Sequence, residues 1–345
     1  MNPLIWSTLI TGLTTSTIIT MTSHHWLLAW LSLELNTLSM LPIIMKPQHP
    51  RATEATTKYF LIQATAATMI LYASTVNAWQ TGQWSIPNSS YTTTLLTTTA
   101  IMLKLGLAPV HIWYPQILQS TTMYTALTIS TWQKLAPLAL LYMTHNHLNQ
   151  TVLLLIGLLS ALIGGWSGLN QTQTRMIMAF SSIAHMGWLI TALTLNPSLA
   201  TLTMLTYIIM TTAMFTPLAT TDAKTITDLA TTWPTSPTTL ALTMITLMSL
   251  GGLPPLTGFL PKWLILKELL ATNMIPMATL ILLASLPSLF FYIRLAYLTM
   301  LTSAPSTTST KHWWRFKPKW PPTTTALVTA TALLLPLTPS LYNTT

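Results

Sequence analysis

Five residues inside long apolar stretches of this sequence are candidates for exchanging protons. They are one acid, three lysines and one histidine: Glu34, Lys104, Lys134, Lys262 and His185. Placing an ionisable side chain at the middle of a membrane costs at least ~2.5–3.5 kcal/mol of insertion free energy. The presence of each of these residues therefore requires an explanation. A row of such groups joined by water suits proton transfer, because lysine exchanges protons readily once it is withdrawn from bulk water. Histidine titrates near neutral pH and can connect the lysines.

Packing offers an alternative explanation for these charges. Glu34 has no basic residue within a turn of its own helix, so its partner must come from another helix. One buried ion pair would still leave at least one lysine uncompensated, which is an expensive arrangement without a function. His185 is as compatible with a hydrogen-bonded core histidine as with a relay, and for His111 the structural role is favoured. Arg294 lies near the end of its span and is expected to snorkel to the membrane surface.

Two segments rich in glycine and proline are predicted to interrupt helices, and each carries one of the lysines. Lys104 lies at the start of residues 103–115, and Lys262 lies at the end of residues 249–263. The helix-breaking residues in these segments are Gly106, Pro109, Gly251, Gly252, Pro254 and Pro255. Freed backbone groups are tolerated in lipid only where they line a cavity or pack against protein. Both segments are therefore expected to border an internal path.

The composition indicates the environment in which these residues work. Of 345 residues, 51% are hydrophobic and only 6% are charged, too few for the surface of a soluble domain and too apolar for disorder. The net charge of +9 comes from dispersed residues and does not predict binding to nucleic acid. The chain contains no cysteine, which excludes disulfides, thiolate metal sites and iron–sulfur clusters held by cysteine. His145 and His147 are two residues apart, a spacing that does not predict a metal site. We predict an all-α integral membrane protein.

Eleven segments are long and apolar enough to cross a bilayer core of about 30 Å. They are residues 4–21, 26–45, 57–79, 92–108, 123–143, 152–169, 176–195, 199–220, 237–271, 275–299 and 324–341. The first is expected to be a span rather than a secretory signal, because no basic residue precedes it and no cleavage site follows. Among the loops, only those after even-numbered spans contain lysine or arginine. The positive-inside rule then places the N-terminus inside and the C-terminus outside.

The two interrupted spans, the fourth and the ninth, are five apart and therefore run in opposite directions. This is the arrangement of an inverted repeat of five helices, 1–5 against 6–10. We predict a single transmembrane domain over residues 1–345. It comprises a first half at 1–143, a second half at 150–299, and a basic loop with helix 11 at 300–345. Paired interrupted helices in opposed halves point to the ion path of a transporter.

Taken together, these features resemble the antiporter-like membrane subunits of respiratory complex I. Glu34 in the second span, Lys134 in the fifth and the two lysine-bearing breaks match that family. Three features are similar to the shorter members of that family, from animal mitochondria. They are the opening Met-Asn-Pro-Leu, eleven spans instead of fourteen, and lysine rather than glutamate at position 262. The sequence Leu-Gly-Leu-Ala-Pro-Val-His at 105–111 points the same way. The resemblance covers essentially the whole chain.

The resemblance implies a role for each residue. Glu34 and Lys104 would form an ion pair that gates a half-channel, Lys134 would be the central relay and Lys262 would pass the proton across. NADH, FMN, iron–sulfur clusters and ubiquinone would be bound by other subunits, and this chain would carry no cofactor. Its neighbours would be complex I subunits of the chain 4L and chain 4 types, accessory subunits and phospholipids. The inside would be the matrix of the mitochondrion and the outside the intermembrane space.

Two other functions fit the same residues. A stand-alone cation/proton antiporter would use the same intramembrane charges. The longer family members carry three more N-terminal helices, so this chain should need neighbours at that edge, which argues against a stand-alone protein. A structural subunit with a silent proton path, coupling other pumps mechanically, is compatible with every feature of the sequence.

Overall fold

Two sets of helices make up the part of the chain that the structure describes. The computed structural model covers residues 2–232, 237–300, 315 and 323–337. Its backbone contacts divide the chain into unit 1, Met1–Ile156, and unit 2, Gly157–Thr345. Most of the predicted basic loop and the end of the predicted eleventh span lie outside the described residues.

Unit 1 is built from helices that pack against their neighbours in sequence. The helices are α1 Pro3–Thr22, α2 Trp26–Met45, α3 Pro50–Thr81, α4 Tyr91–Leu105, α5 Trp113–Ser120, α6 Met123–Ser130 and α7 Leu135–Thr144. Side chains of Asn2, His25 and His49 accept backbone N–H groups at the starts of α1, α2 and α3. These caps satisfy donors that a helix start leaves free. Contacts between α1 and α2, α2 and α3, and α3 and α4 hold the unit together.

Unit 2 is organised around one buried helix. Its helices are α8 Gln150–Gly168, which begins in unit 1, α9 Thr174–Leu195, α10 Pro197–Thr221, α11 Ile226–Thr231, α12 Pro237–Gly251, α13 Phe259–Ala271, α14 Ile275–Thr299 and α15 Thr323–Leu333. Nearly every residue of α9 is buried. A helix that is apolar all round belongs in the core of a large protein or bundle. Helices α10, α13 and α14 pack against it.

Seven helices of the described chain are long and apolar enough to cross a membrane: α1, α2, α3, α8, α9, α10 and α14. They coincide with the predicted spans 1, 2, 3, 6, 7, 8 and 10. Where the structure describes them, the other predicted spans consist of shorter helices. The fifth, residues 123–143, is not continuous, because a 3₁₀ turn at Trp132–Lys134 separates α6 from α7. Pro137 accounts for this interruption, since it has no N–H for the carbonyl four residues earlier, that of Gln133.

Each unit contains one isolated antiparallel β-bridge at an equivalent place in its order of helices. In unit 1 the bridge joins His25, before α2, to Ser85, between α3 and α4. In unit 2 it joins Gln173, before α9, to Thr225, between α10 and α12. Counted in predicted spans, both bridges link the loop after the first helix of a half to the loop after its third. The two bridges thus occupy corresponding places in the order of the predicted spans.

Threonine hydroxyls bond within their own helices. Thr97 donates to the carbonyl of Thr94 at 3.0 Å, and Thr246 donates to that of Thr243 at 2.8 Å. Such back-bonding satisfies a hydroxyl without a partner from another helix. Bonds that join separate segments are fewer, such as Thr257 to the carbonyl of Thr331 at 2.7 Å.

Helices α8 and α9 approach closely through small residues. A Cβ atom placed on Gly164 would lie 2.6 Å from the backbone nitrogen of Ala184 and 2.9 Å from the carbonyl oxygen of Phe180. Small residues at helix contacts let backbones approach in this way in membrane proteins. The close contact fixes α9, which carries His185, against α8.

Candidate functional site

The first break places Lys104 in the last turn of α4. The helix ends because Gly106 adopts a left-handed conformation, with φ of 69°. A Cβ atom at this position would lie 3.0 Å from the Cβ of Tyr114, so both the backbone and the space favour glycine. The amide of Gln63 on α3 donates to the carbonyl of Lys104 at 3.4 Å. The end of α4 is thereby joined to the middle of α3.

Lys104 and Glu34 are the charged pair of unit 1. Lys104 is 6% exposed, and its ammonium makes no hydrogen bond within the described structure. One carboxylate oxygen of Glu34 is also buried without a hydrogen bond there. The two groups interact electrostatically through space. The gating ion pair implied by the family resemblance stays a prediction, since the two side chains are near each other and no direct hydrogen bond joins them.

Lys134 is positioned by the 3₁₀ turn between α6 and α7. It is 3% exposed, and its ammonium lies 4.9 Å from the centre of the Tyr114 ring. The face of an aromatic ring attracts a cation by about 0.5–2 kcal/mol. The ring of Tyr114 therefore attracts the ammonium of Lys134.

Lys104 and Lys134 line the same cavity. It has a volume of about 20 Å³, which is enough for one water molecule. Its polar lining also includes Asn36, Tyr59, Gln63 and Gln133, and its aromatic lining includes Trp113 and Tyr114. The structure thus brings two of the predicted lysines together around a space where water can connect them.

The amide and phenol residues of this cavity were not predicted from the sequence as functional. Their polar side chains could have indicated a functional role, because Asn36 and Gln63 lie within otherwise apolar spans. Buried polar side chains in a membrane need hydrogen-bond partners, so such residues mark a polar interior. Their partners belong to other helices and cannot be identified from the linear sequence.

The second break places Lys262 beside the end of α12. That helix ends at Gly251, and Gly252 follows in a left-handed conformation with φ of 82°. The Lys262 ammonium donates to the carbonyl of Gly251 at 2.9 Å. A helix end leaves carbonyls unpaired and carries partial negative charge, both of which favour a cation there. Lys262 therefore caps α12 in this structure.

Lys262 and His185 line a second cavity, which lies within unit 2. Its volume is also about 20 Å³, and Trp188, Thr206 and Tyr207 contribute to its lining. His185 Nδ1 lies 2.7 Å from the carbonyl of Ser181, one turn earlier on α9. Because a carbonyl only accepts, Nδ1 carries the hydrogen, and Nε2 is the acceptor of the neutral ring. A histidine and a lysine thus share a water-sized space.

Two further residues of the sequence analysis have local structural roles. Nδ1 of His111 lies 3.1 Å from the carbonyl of Pro109, within the first break. Arg294 on α14 donates to the carbonyl of Leu169 at 2.6 Å and to that of Gln171 at 2.5 Å. Two charge-assisted bonds of this kind tie α14 to the end of α8. The guanidinium is thus held by backbone carbonyls in unit 2.

The comparisons with known proteins agree on one family. Residues 23–288 match the family described as NADH:quinone oxidoreductase/Mrp antiporter, transmembrane. Residues 289–342 match the NADH dehydrogenase subunit 2 C-terminus. NADH-ubiquinone oxidoreductase chain 2 of Salmo salar is 52% identical over 344 residues, which is 99% of this chain and 98% of the relative. The protein of the same name from Gallus gallus is 51% identical over 325 residues, 94% of each chain.

Solved structures give the same result. A chain of respiratory complex I from Thermus thermophilus with bound aureothin has a TM-score of 0.83 at 27% identity, covering 95% of this chain and 76% of that one. A chain of the Mrp complex from Dietzia sp. has a TM-score of 0.83 at 16% identity, covering 97% and 75%, and shares the fold. The resemblance recognised from the sequence is confirmed. The chain belongs to the NADH:quinone oxidoreductase/Mrp antiporter family of membrane subunits, in the branch that carries the subunit 2 C-terminal segment.

Proposed function

We propose that the chain is a core membrane-arm subunit of the proton-translocating NADH:ubiquinone oxidoreductase of mitochondria. It takes part in the enzyme's reaction without a redox centre of its own. Quinone reduction in other subunits supplies the energy, and NADH, FMN, iron–sulfur clusters and ubiquinone are bound there. The observation that carries this proposal is the pairing of proton-exchanging residues around water-sized cavities. Lys104 and Lys134 share one, and His185 and Lys262 share the other.

The chemistry of the first cavity is proton transfer between two lysines through one water molecule. An ammonium that donates its proton to water becomes a neutral amine that accepts the next one, so Lys104 and Lys134 can pass protons in turn. A carboxylate close to an ammonium favours the charged form of that ammonium. Moving Glu34 toward or away from Lys104 would therefore load or unload that lysine.

In the second cavity a neutral His185 offers Nε2 as the proton acceptor. The Lys262 ammonium uses one of its three protons in the 2.9 Å hydrogen bond to the Gly251 carbonyl, so two remain for water in the cavity. A proton passed to that water leaves a neutral amine, which the negative end of α12 attracts less strongly than an ammonium. Proton transfer from Lys262 therefore weakens its cap on α12.

The arrangement in the membrane belongs to the same proposal. Eleven crossings, with the N-terminus in the matrix and the C-terminus in the intermembrane space, follow from the positions of the basic loops. The equivalent β-bridges of the two units and the left-handed glycines after α4 and α12 support an inverted repeat of five helices. The chain lies in the inner membrane next to subunits of the chain 4L and chain 4 types, accessory subunits and phospholipids. Exposed apolar residues on α1, such as Leu4 and Ile18, suit such neighbours.

The test is the exchange Lys134→Met in the assembled enzyme in proteoliposomes. Removing a proton-carrying side chain slows its step by about 10²–10⁴-fold, so protons translocated per electron should fall while NADH oxidation and assembly persist. Lys58→Met is the matched control, because Lys58 is 41% exposed and pairs with Glu54 at 2.5 Å on the surface. An unchanged proton ratio in the Lys134 variant would leave a structural subunit with a silent path.

A second measurement separates the proposal from a stand-alone antiporter. After mild detergent extraction, the chain should migrate in a very large native complex that oxidises NADH. Migration as a small species without this activity, together with cation-dependent proton exchange in liposomes, would instead favour the antiporter.

A further inference from the structure

A short chain of hydrogen bonds crosses unit 1 through the side chain of Gln133. Its amide nitrogen donates to Oδ1 of Asn36 on α2 at 3.2 Å. Its amide oxygen accepts from the hydroxyl of Tyr59 on α3 at 3.3 Å. Asn36 is 2% exposed and Tyr59 is 1% exposed, so these bonds are shielded from solvent. Gln133 is thus held at both ends by two different helices.

These side-chain bonds act where the hydrogen bonding of the backbone is weak. Gln133 and Lys134 belong to one 3₁₀ turn, Trp132–Lys134, in which the N–H of Lys134 reaches the carbonyl of Thr131 at 3.4 Å. Hydrogen bonds in 3₁₀ turns have poorer geometry than those of an α-helix, and Pro137 removes the bond that would continue the helix. The position of the turn therefore depends on what its side chains contact. Gln133 supplies two contacts to α2 and α3.

The same chain reaches the helix that carries the acid. Asn36 lies two residues after Glu34 on α2, and one helix moves both residues together. Any displacement of α2 that alters the interaction of Glu34 with Lys104 therefore acts on Gln133 through Asn36. The next residue after Gln133 is Lys134, whose ammonium lies over the ring of Tyr114.

We infer that Gln133 is a positioning residue of the proton path: it holds Lys134 at the shared cavity and couples it to the helix of Glu34. An amide does not titrate at the pH of the cell, so Gln133 carries no proton itself. This inference rests on the proposed function. It adds a link between the acid and the central lysine that does not depend on a direct ion pair.

The test compares proton translocation per electron in the assembled enzyme for a series of variants. Gln133→Met keeps the length of the side chain and removes both bonds, and we expect it to lose most of the translocation that Lys134→Met loses. Tyr59→Phe removes one bond and should give a smaller loss. Gln116→Met is the matched control, because Gln116 is an exposed glutamine on α5. NADH oxidation and the amount of assembled enzyme should stay at the control value.

A double variant tests whether Asn36 acts through Gln133. Adding Asn36→Leu to Gln133→Met should cause no further loss of translocation, whereas independent roles would give the sum of the single losses. Additive losses would overturn the inference.

The remaining outcomes distinguish the inference from the proposed function. If Lys134→Met lowers translocation and Gln133→Met matches the Gln116→Met control, the inference is wrong and the proposed function stands. If Lys134→Met leaves translocation unchanged, the proposed function fails and the inference fails with it. If Gln133→Met does not assemble, Tyr59→Phe decides, and a proton ratio equal to the control would overturn the inference.

Discussion

Lys262 both caps a helix and lies at a proton-exchanging cavity, and these two roles can be separated by substitution. Lys262→Met removes the charge-assisted hydrogen bond to Gly251, which is worth about 1.5–3 kcal/mol. It also removes an attraction to the ring of Trp188, 5.9 Å away, worth at most about 1 kcal/mol. Against these losses, it removes a charge from the membrane interior, which relieves about 2.5–3.5 kcal/mol. The opposing contributions leave the free energy of unfolding within about 1–2 kcal/mol of the original.

Lys262→Arg provides the comparison that the assay needs. Arginine keeps a positive charge and hydrogen-bond donors for the Gly251 carbonyl, but it does not release its proton in proteins. We expect both variants to lose proton translocation per electron. Thermal unfolding of the membrane arm in mild detergent should change little for either one. The two measurements together separate the role in proton transfer from the role in capping.

Two results would refute this reasoning. Normal proton translocation by Lys262→Arg would show that no proton passes through this side chain and that Lys262 serves only as a cap. The second result has two parts: Lys262→Met lowers the free energy of unfolding by more than about 3 kcal/mol, and the enzyme that still assembles translocates protons normally. It would show that capping of α12 contributes more to stability than burial of the charge costs.

Three further predictions concern stability. Gly164→Ala should destabilise the chain by about 1–3 kcal/mol, because its Cβ would lie 2.6 Å from the backbone of Ala184. Gly12→Ala should stabilise the chain by about 0.5–1 kcal/mol, because its Cβ would make only an ordinary contact. Equal shifts of the unfolding temperature in the two glycine variants would contradict both predictions. Burial alone would raise the pKa of Asp228, but hydrogen bonds from Thr225 and its neighbour outweigh burial and lower that pKa. Its stabilising contribution is therefore complete above the unfolded value of about 4 and is lost as the pH falls through the lowered folded value, so Asp228→Asn should destabilise at pH 7 and not at about pH 2.

The sequence was sufficient to predict seven of the apolar spans and the places where two further ones are interrupted. Apolar runs of about 20 residues are a local property, and left-handed glycines such as Gly106 and Gly252 end helices wherever they occur. The lysines beside these glycines stand out for the same reason, since a charge in an apolar run needs no structure to be noticed. These parts of the molecule depend on residues close together in the chain.

The shared cavities depend on contacts between distant residues and were not predictable in the same way. Tyr59 meets Gln133 across 74 residues, and Gln133 meets Asn36 across 97, through the crossing of separate helices. The interruption at Trp132–Lys134 was missed, because its cause, Pro137, lies one turn later inside a span that otherwise looks continuous. Proline removes a hydrogen bond from a residue four positions earlier, so its effect appears before its own position.

The threonine hydroxyls that bond within their own helices also bear on electrical insulation. A membrane that holds a voltage loses energy through any continuous file of water, and water needs polar partners to stay in an apolar interior. Hydroxyls such as that of Thr97 have already given their hydrogen to a carbonyl one turn away, so they attract water only weakly. The ammonium groups of Lys104, Lys134 and Lys262 lie instead beside the two cavities. A chain rich in threonine can therefore stay dry along helices that carry many hydroxyls, which limits the routes open to a proton.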